Sequence, residues 1–230
     1  NINNPTLLSA YDLPNINYQG LSIFVLGTYA YLGTDDDAIG QEFHVVDVTN
    51  PLSPISVGSL EVGKDINAIY VQDHYAYLAI DDATELWVVD VSNPTNPVKV
   101  AQYDAPGAAG DGKAINIVGD KLYLGRLIDS GANNDELLVL DISNPLSIVN
   151  LGSKNFPSSI NDVYIRDDLA FIATNDSNNE FQIYNISNPS NITLISSFNF
   201  PQVASAIDYE NNIVYVAVRS NDALRIITSQ

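Results

Sequence analysis

Apolar residues in this chain come in short runs and never at the three-to-four spacing of a helix. One run sets the type: Leu86-Trp87-Val88-Val89-Asp90-Val91-Ser92-Asn93-Pro94. It returns as Phe43-His44-Val45-Val46-Asp47-Val48-Thr49-Asn50-Pro51 and as Leu137-Leu138-Val139-Leu140-Asp141-Ile142-Ser143-Asn144-Pro145. A drifted copy reads Phe181-Gln182-Ile183-Tyr184-Asn185-Ile186-Ser187-Asn188-Pro189. A fifth, Leu224-Arg225-Ile226-Ile227-Thr228-Ser229, stops at the C-terminus, and its missing tail stands at the other end as Asn1-Ile2-Asn3-Asn4-Pro5. The prolines at 5, 51, 94, 145 and 189 are 46, 43, 51 and 44 residues apart. Self-similarity at that period points to a propeller or a solenoid.

The contents of one unit decide between them. After Pro51, residues 55–60, 66–71, 75–80 and 86–91 each read as a short β-rich strand, separated by Gly, Asn, Asp and Pro. Gly27-Thr28, Asp73-His74, Gly119-Asp120, Asp167-Asp168 and Asn211-Asn212 mark the same hairpin in every unit, with residue types that tolerate positive φ. Adjacent apolar residues such as Val88 and Val89 indicate sheets covered on both faces. The pattern predicts an all-β, five-bladed β-propeller of four-stranded antiparallel blades, one domain over residues 1–230. The last unit has three strands, near 204–207, 213–218 and 224–227. Residues 6–11 supply an outer strand without a blade, so the N-terminal strand is expected to complete the last blade and remove both sheet edges. Closure within one chain is favoured by its high effective concentration, and the same complementarity can be met between molecules.

The Leu-x-Val-Val-Asp-Val-Ser-Asn-Pro units resemble LVIVD repeats, found in β-propeller regions of exported and cell-surface microbial proteins. The resemblance runs over essentially the whole chain and weakens where Asn185 and Thr228 replace the motif Asp. It implies a propeller scaffold, often one part of a larger surface protein, and no established catalytic residues.

Charge narrows the partners. Nine Lys and Arg stand against 28 Asp and Glu, a formal net charge of −19, which repels nucleic acid and anionic lipid. No run approaches the roughly 18 apolar residues of a membrane span, so no membrane contact by the visible chain is expected. There is no Cys, hence no disulfide, thiolate nucleophile or Cys-based zinc site. There is no Met either, even at position 1, which suggests a mature product or excised domain with any signal segment upstream. The resemblance to LVIVD repeats implies an extracellular or cell-surface location, which the absence of Cys does not exclude.

Asp47, Asp90, Asp141 and Asn185 close the third strand of their units, where a side-chain oxygen can accept backbone hydrogen bonds, and are expected to be structural turn residues. The loops from outer to next inner strand, and from second to third strand, share one face. That face holds the length variation, at residues 33–41, 105–112 and 125–135. It is the candidate ligand face, with Asp35, Asp36, Asp37, Asp81, Asp82, Asp129, Asp176, Asp222, Tyr18 and Tyr103. Hard cations need several oxygens within about 2.6 Å, so Ca²⁺ is a candidate at Asp35, Asp37 and Asp82, and no other cofactor is expected. No run matches a calcium loop, and Lys64, Lys113, Arg126 and Arg219 share the face as neutralising partners. Asn175, in the sequon Asn175-Asp176-Ser177, is the glycosylation candidate.

An enzyme is not expected. Asp65, Asp162 and Asp208 are the carboxylates near inner strands, but near-identical units lack the distinct contexts of an acid and a base. The expected function is a surface-exposed scaffold, a subunit or outer domain of an extracellular appendage such as a filament or pilus, or of a coat. Its expected contacts are self-association or other surface proteins and glycans. The alternative is a module binding a glycan, peptide or Ca²⁺ at the acidic face.

Overall fold

A computed structural model describes residues 5–13, 19–36, 40–82, 84–106, 110–128, 135–200 and 202–228. Five antiparallel sheets follow one another along the chain. The first is β1 (Gly20–Leu26), β2 (Tyr29–Thr34), β3 (Phe43–Asp47) and β4 (Ile55–Leu60). The second is β5 (Ile66–Gln72), β6 (Tyr75–Ile80), β7 (Leu86–Asp90) and β8 (Val98–Tyr103). The third is β9 (Gly112–Val118), β10 (Lys121–Arg126), β11 (Leu137–Asp141) and β12 (Val149–Lys154). The fourth is β13 (Ile160–Arg166), β14 (Leu169–Thr174), β15 (Phe181–Asn185) and β16 (Thr193–Phe198). The fifth has β17 (Ala204–Glu210), β18 (Ile213–Val218) and β19 (Leu224–Thr228), and no fourth strand among the described residues.

The two innermost strands of each sheet join through the predicted tight turn. Gly27, Asp73, Gly119, Asp167 and Asn211 all take φ between 52° and 62°, the left-handed value such hairpins need. The register repeats as well: Phe43 opposes Gly33, Leu86 opposes Ala79, Leu137 opposes Gly125, Phe181 opposes Ala173 and Leu224 opposes Ala217.

Apolar cores lie between sheets, not within one. Tyr31, Phe43 and Val45 of the first pack on Ile69, Val71 and Leu78 of the second. Tyr77, Leu86 and Val88 meet Ile117, Leu122 and Leu140 across the next junction. Tyr123, Leu137, Val139 and Phe156 then meet Val163, Ile165, Ile172 and Tyr184. Phe171, Phe181 and Phe200 cover Ala204, Val214 and Val216. Being covered on both faces is why the strands read as unbroken apolar runs. Tyr31, Tyr77 and Tyr123, at recurring positions of the second strands, are buried packing residues; burial pushes the Tyr77 phenol up to about 12. Innermost strands follow the same succession, β1 on β5, β5 on β9, β9 on β13 and β13 on β17. β17 and β1 do not pack in this way.

Residues 5–13 run without strand structure, so the expected outer strand at 6–11 is not paired to β19. One contact fixes the neighbourhood of this segment: the Ser9 hydroxyl donates to the Pro51 carbonyl at 2.6 Å.

Candidate functional site

The motif turn is built twice over from side-chain acceptors. Asp47 Oδ1 accepts from Thr49 N–H, Asp90 from Ser92, Asp141 from Ser143, all at 2.8–2.9 Å, and Asn185 does the same for Ser187 at 2.9 Å. Three residues on, the motif asparagines repeat the device: Asn50, Asn93, Asn144 and Asn188 accept from the N–H two positions ahead. The side-chain and backbone donors of residues 49, 92 and 143 hold the three Asp carboxyls below their ordinary range. Ser187 also donates its hydroxyl to Asn185, which keeps that amide inside its turn.

A second repeated carboxylate escaped the sequence reading. Glu42, Glu85, Glu136 and Glu180 each stand directly before a motif strand and are buried. Each accepts from the backbone just past its sheet's outer strand: Glu42 from Val62 and Gly63, Glu85 from Ala105, Glu136 from Phe156 and Glu180 from Phe200. The carboxylate thus clamps the exit of the outer strand to the entry of the third. Burial pushes the Glu42, Glu85 and Glu136 carboxyls up, against those donors. The signal was available, since the acid recurs at the motif's own spacing. In the fifth unit the position is Ala223. Glu85 has a further partner in Arg126, whose guanidinium is equally buried and donates to it at 2.5 Å. Arg126 also donates to the Asp135 carbonyl, and Gly110 lies so close over the guanidinium that a Cβ would collide with it.

The loops entering each sheet and those joining its second and third strands lie side by side. Asp35 N–H donates to Gln19 carbonyl, Asp81 to Asp65, Leu127 to Asp111, Asn175 to Ser159 and Arg219 to Val203, so each second-to-third loop lies beside its own sheet's entry loop. The acids there do local work. Asp35 accepts from Gln19 N–H and from its side-chain amide. Asp65 accepts from Asp36 N–H, joining the first two sheets. Asp82 stands 3.8 Å from Lys64, Asp222 pairs with Arg225, and Asp176 accepts from Asn178 and Asn179 within its own loop. Asn175 accepts from Asn161. Tyr103 ends β8 half-buried against the core between the second and third sheets. Asp37, Asp129 and Tyr18 lie outside the described residues. Among the described residues, no three His, Asp or Glu side chains converge as a metal would need. The structure does draw Asp36, Asp65, Asp81 and Lys64 around a hollow of about 250 Å³.

Around the innermost strands, side chains bridge sheet to sheet. Ser22 donates to the Ile66 carbonyl, Asn67 to Gly112 and Asn161 to Ala204, each onto the first residue of the next inner strand. Asp162 accepts from Ile207 N–H at 2.7 Å and from its own neighbour Val163; burial pushes its carboxyl up to about 6. Ser205, at the position of Asn67 and Asn161, turns instead to Ala217 of its own sheet. His44 is buried, and burial holds its imidazole below the ordinary range.

Four-stranded sheets stacked through apolar faces, with one repeated turn and clamp, define a β-propeller repeat protein. The model of the LVIVD repeat matches residues 20–62, 63–105, 109–155 and 159–200, and the chain belongs to that family. Two solved structures share the fold. The computationally designed Ika4 protein is 15% identical with a TM-score of 0.57, over 75% of this chain and 96% of its own. The computationally designed Ika8 protein is 12% identical with a TM-score of 0.58, over 93% of this chain and 72% of its own. No curated protein matches the chain.

Proposed function

We propose that the chain is a non-enzymatic scaffold, displayed outside the cell as a subunit or outer domain of a surface appendage or coat. One observation carries this reading: the polar groups that recur in register all hold backbone. The motif Asp and Asn hold the turn, the buried Glu clamps the outer strand, and Asn67, Asn161 and Asp162 tie one blade to the next. Such an inventory suits a module built to be rigid and to be joined to others.

On this reading residues 6–11 form the fourth strand of the fifth blade. Two repeats of contact support it. Gly58 and Gly152 on the outer strands β4 and β12 pack so tightly on the carbonyls of Pro94 and Pro189, in the next blade, that neither has room for a Cβ. Ser9 meets Pro51 in the same way. The string Thr6-Leu7-Leu8-Ser9-Ala10-Tyr11 also follows Thr193-Leu194-Ile195-Ser196-Ser197-Phe198 of β16.

Thermal unfolding with and without Ca²⁺, and against a panel of glycans, tests the scaffold. A scaffold shows no shift, whereas saturating ligand adds a few kcal/mol to a binding module. The binding reading has one observation in its favour, the hollow ringed by Asp36, Lys64, Asp65 and Asp81. A rise in midpoint that is lost in Asp65→Asn and Asp81→Asn would establish it.

A further inference from the structure

The four junctions between blades show what a fifth should look like. The forward face of each blade carries an apolar residue at the start of its third strand: Phe43, Leu86, Leu137 and Phe181 are all 0% exposed. Leu224, in the same register of β19, is 57% exposed, and Ile226 beside it 62%. The backward face of each blade carries an apolar residue on the inner strand. Ile69 of the second blade is 7% exposed, but Ile23, its counterpart in the first, is 64%. Val25 is likewise open where Val71 and Ile165 are buried. On the same backward face of the first blade Ala30, His44 and Val46 are buried, so the open part of that face is its inner strand, while the forward face of the fifth blade is open at β19.

The fifth blade is unfinished in a second respect. A cavity of about 390 Å³ opens between it and the fourth, lined by Leu169, Phe171, Ile195, Tyr209, Val214 and Ile227 among others. At the junction before, the motif tail fills the equivalent space: Ile186 and Ile192 are buried there against Phe156 and Tyr184. In this sequence the fifth motif runs to Thr228-Ser229-Gln230, and the string Asn1-Ile2-Asn3-Asn4-Pro5 reads like Asn185-Ile186-Ser187-Asn188-Pro189.

We infer that a second copy of this chain covers these surfaces: its residues 6–11 pair with β19 and its first blade packs on the fifth. Residues 5–13 of a single copy stay with its own first blade, through Ser9 and Pro51, while β19 pairs with β18 alone. β17 and β1 do not pack as the other successive inner strands do, and Ser205 donates to Ala217 of its own sheet. Charge is compatible, since residues 1–50 hold no Lys or Arg and the fifth blade offers Arg219 and Arg225. The two faces differ, so the contact is heterologous and each copy offers a free end to the next, the arrangement that builds a filament. This rests on residues 6–11 being the fifth blade's missing strand.

The chain has no cysteine, so a designed pair reports cleanly. Gln182 opposes Ser197 in the fourth blade, which sets Arg225 opposite Ala10 in the fifth, at a spacing a disulfide can span. The full chain carrying Ala10→Cys and Arg225→Cys is oxidised at several concentrations and run without reductant. Dimer, trimer and longer bands are expected. A bridged monomer would overturn the inference while leaving the completed fifth blade standing. Absence of any bridge would overturn both. Thr6→Cys with Thr228→Cys, at the strand's other end, gives an independent reading if the first pair impairs folding.

Discussion

Ser9 Oγ lies 2.6 Å from the carbonyl oxygen of Pro51, 42 residues ahead, and repeats for the N-terminal segment what Gly152 does with Pro189. In each case a small residue, Gly152 of β12 or Ser9 of the N-terminal segment, meets the carbonyl of an Asn-Pro turn. The turn and the outer strand behind it are thus one joint, used at successive blades. A Cβ at Gly152 would fall inside the shell of the Pro189 carbonyl, which is backbone and cannot swing aside. Gly152→Val is expected to cost about 1–3 kcal/mol, as overpacking does. Urea midpoints check this, with Ala101→Val in β8, at an equivalent position that already carries a Cβ, as the milder comparison.

The Glu85–Arg126 pair makes the sharpest stability prediction. Both side chains are buried, so removing one leaves the other charge without compensation. Glu85→Leu is expected to lose about 3–5 kcal/mol, because it also orphans the Ala105 N–H. Glu85→Leu with Arg126→Leu should recover part of that loss. A double variant no more stable than the single would refute the pairing as the cause.

Asp162 gives stability a pH dependence of defined sign. Its carboxyl titrates near 6 in the folded protein, because of burial, and near 3.9 when unfolded. Between those values the folded state holds more protons, so stability falls as pH rises through this window, by at most about 2–3 kcal/mol. The difference between wild type and Asp162→Asn should slope across pH 4 to 6.5. A flat difference would mean that Asp162 titrates normally.

Variants at the open faces separate folding from assembly. Ile69→Lys puts an ammonium into the core between blades 1 and 2 and should unfold the domain. Ile23→Lys, at the same register position, and Ile226→Lys should leave the melting of an isolated subunit within about 0.5 kcal/mol. Both should stop association. Loss of stability at Ile23 comparable to that at Ile69 would mean that the face is covered within one chain.

Much of this was legible in the residues. The prolines of the motif spaced the blades, Asp73 and Asn211 announced the hairpins, and Asp90 stood where a turn acceptor was needed. Glu42 and its three counterparts were missed because an acid before an apolar strand reads as solvated, and only the packing shows that it points inward to the outer strand's exit. For the acidic face the residues offer both ligand oxygens and neutralising partners in Lys64, Lys113, Arg126 and Arg219. Which backbone amide each carboxylate meets depends on loop geometry, as with Asp35 on Gln19 and Asp65 on Asp36, and the sequence does not encode that at any fixed spacing. The exposure of Ile23 and Leu224 was not legible, because it is a property of neighbours far apart in the chain.

The mass and shape of the untagged native chain bear on all of this at once. Light scattering over a hundredfold concentration range, with negative-stain electron microscopy of the same samples, should give a mass that climbs in steps of 25.0 kDa and single-start filaments one propeller wide. A compact particle of 25.0 kDa at every concentration would contradict head-to-tail assembly through the fifth blade.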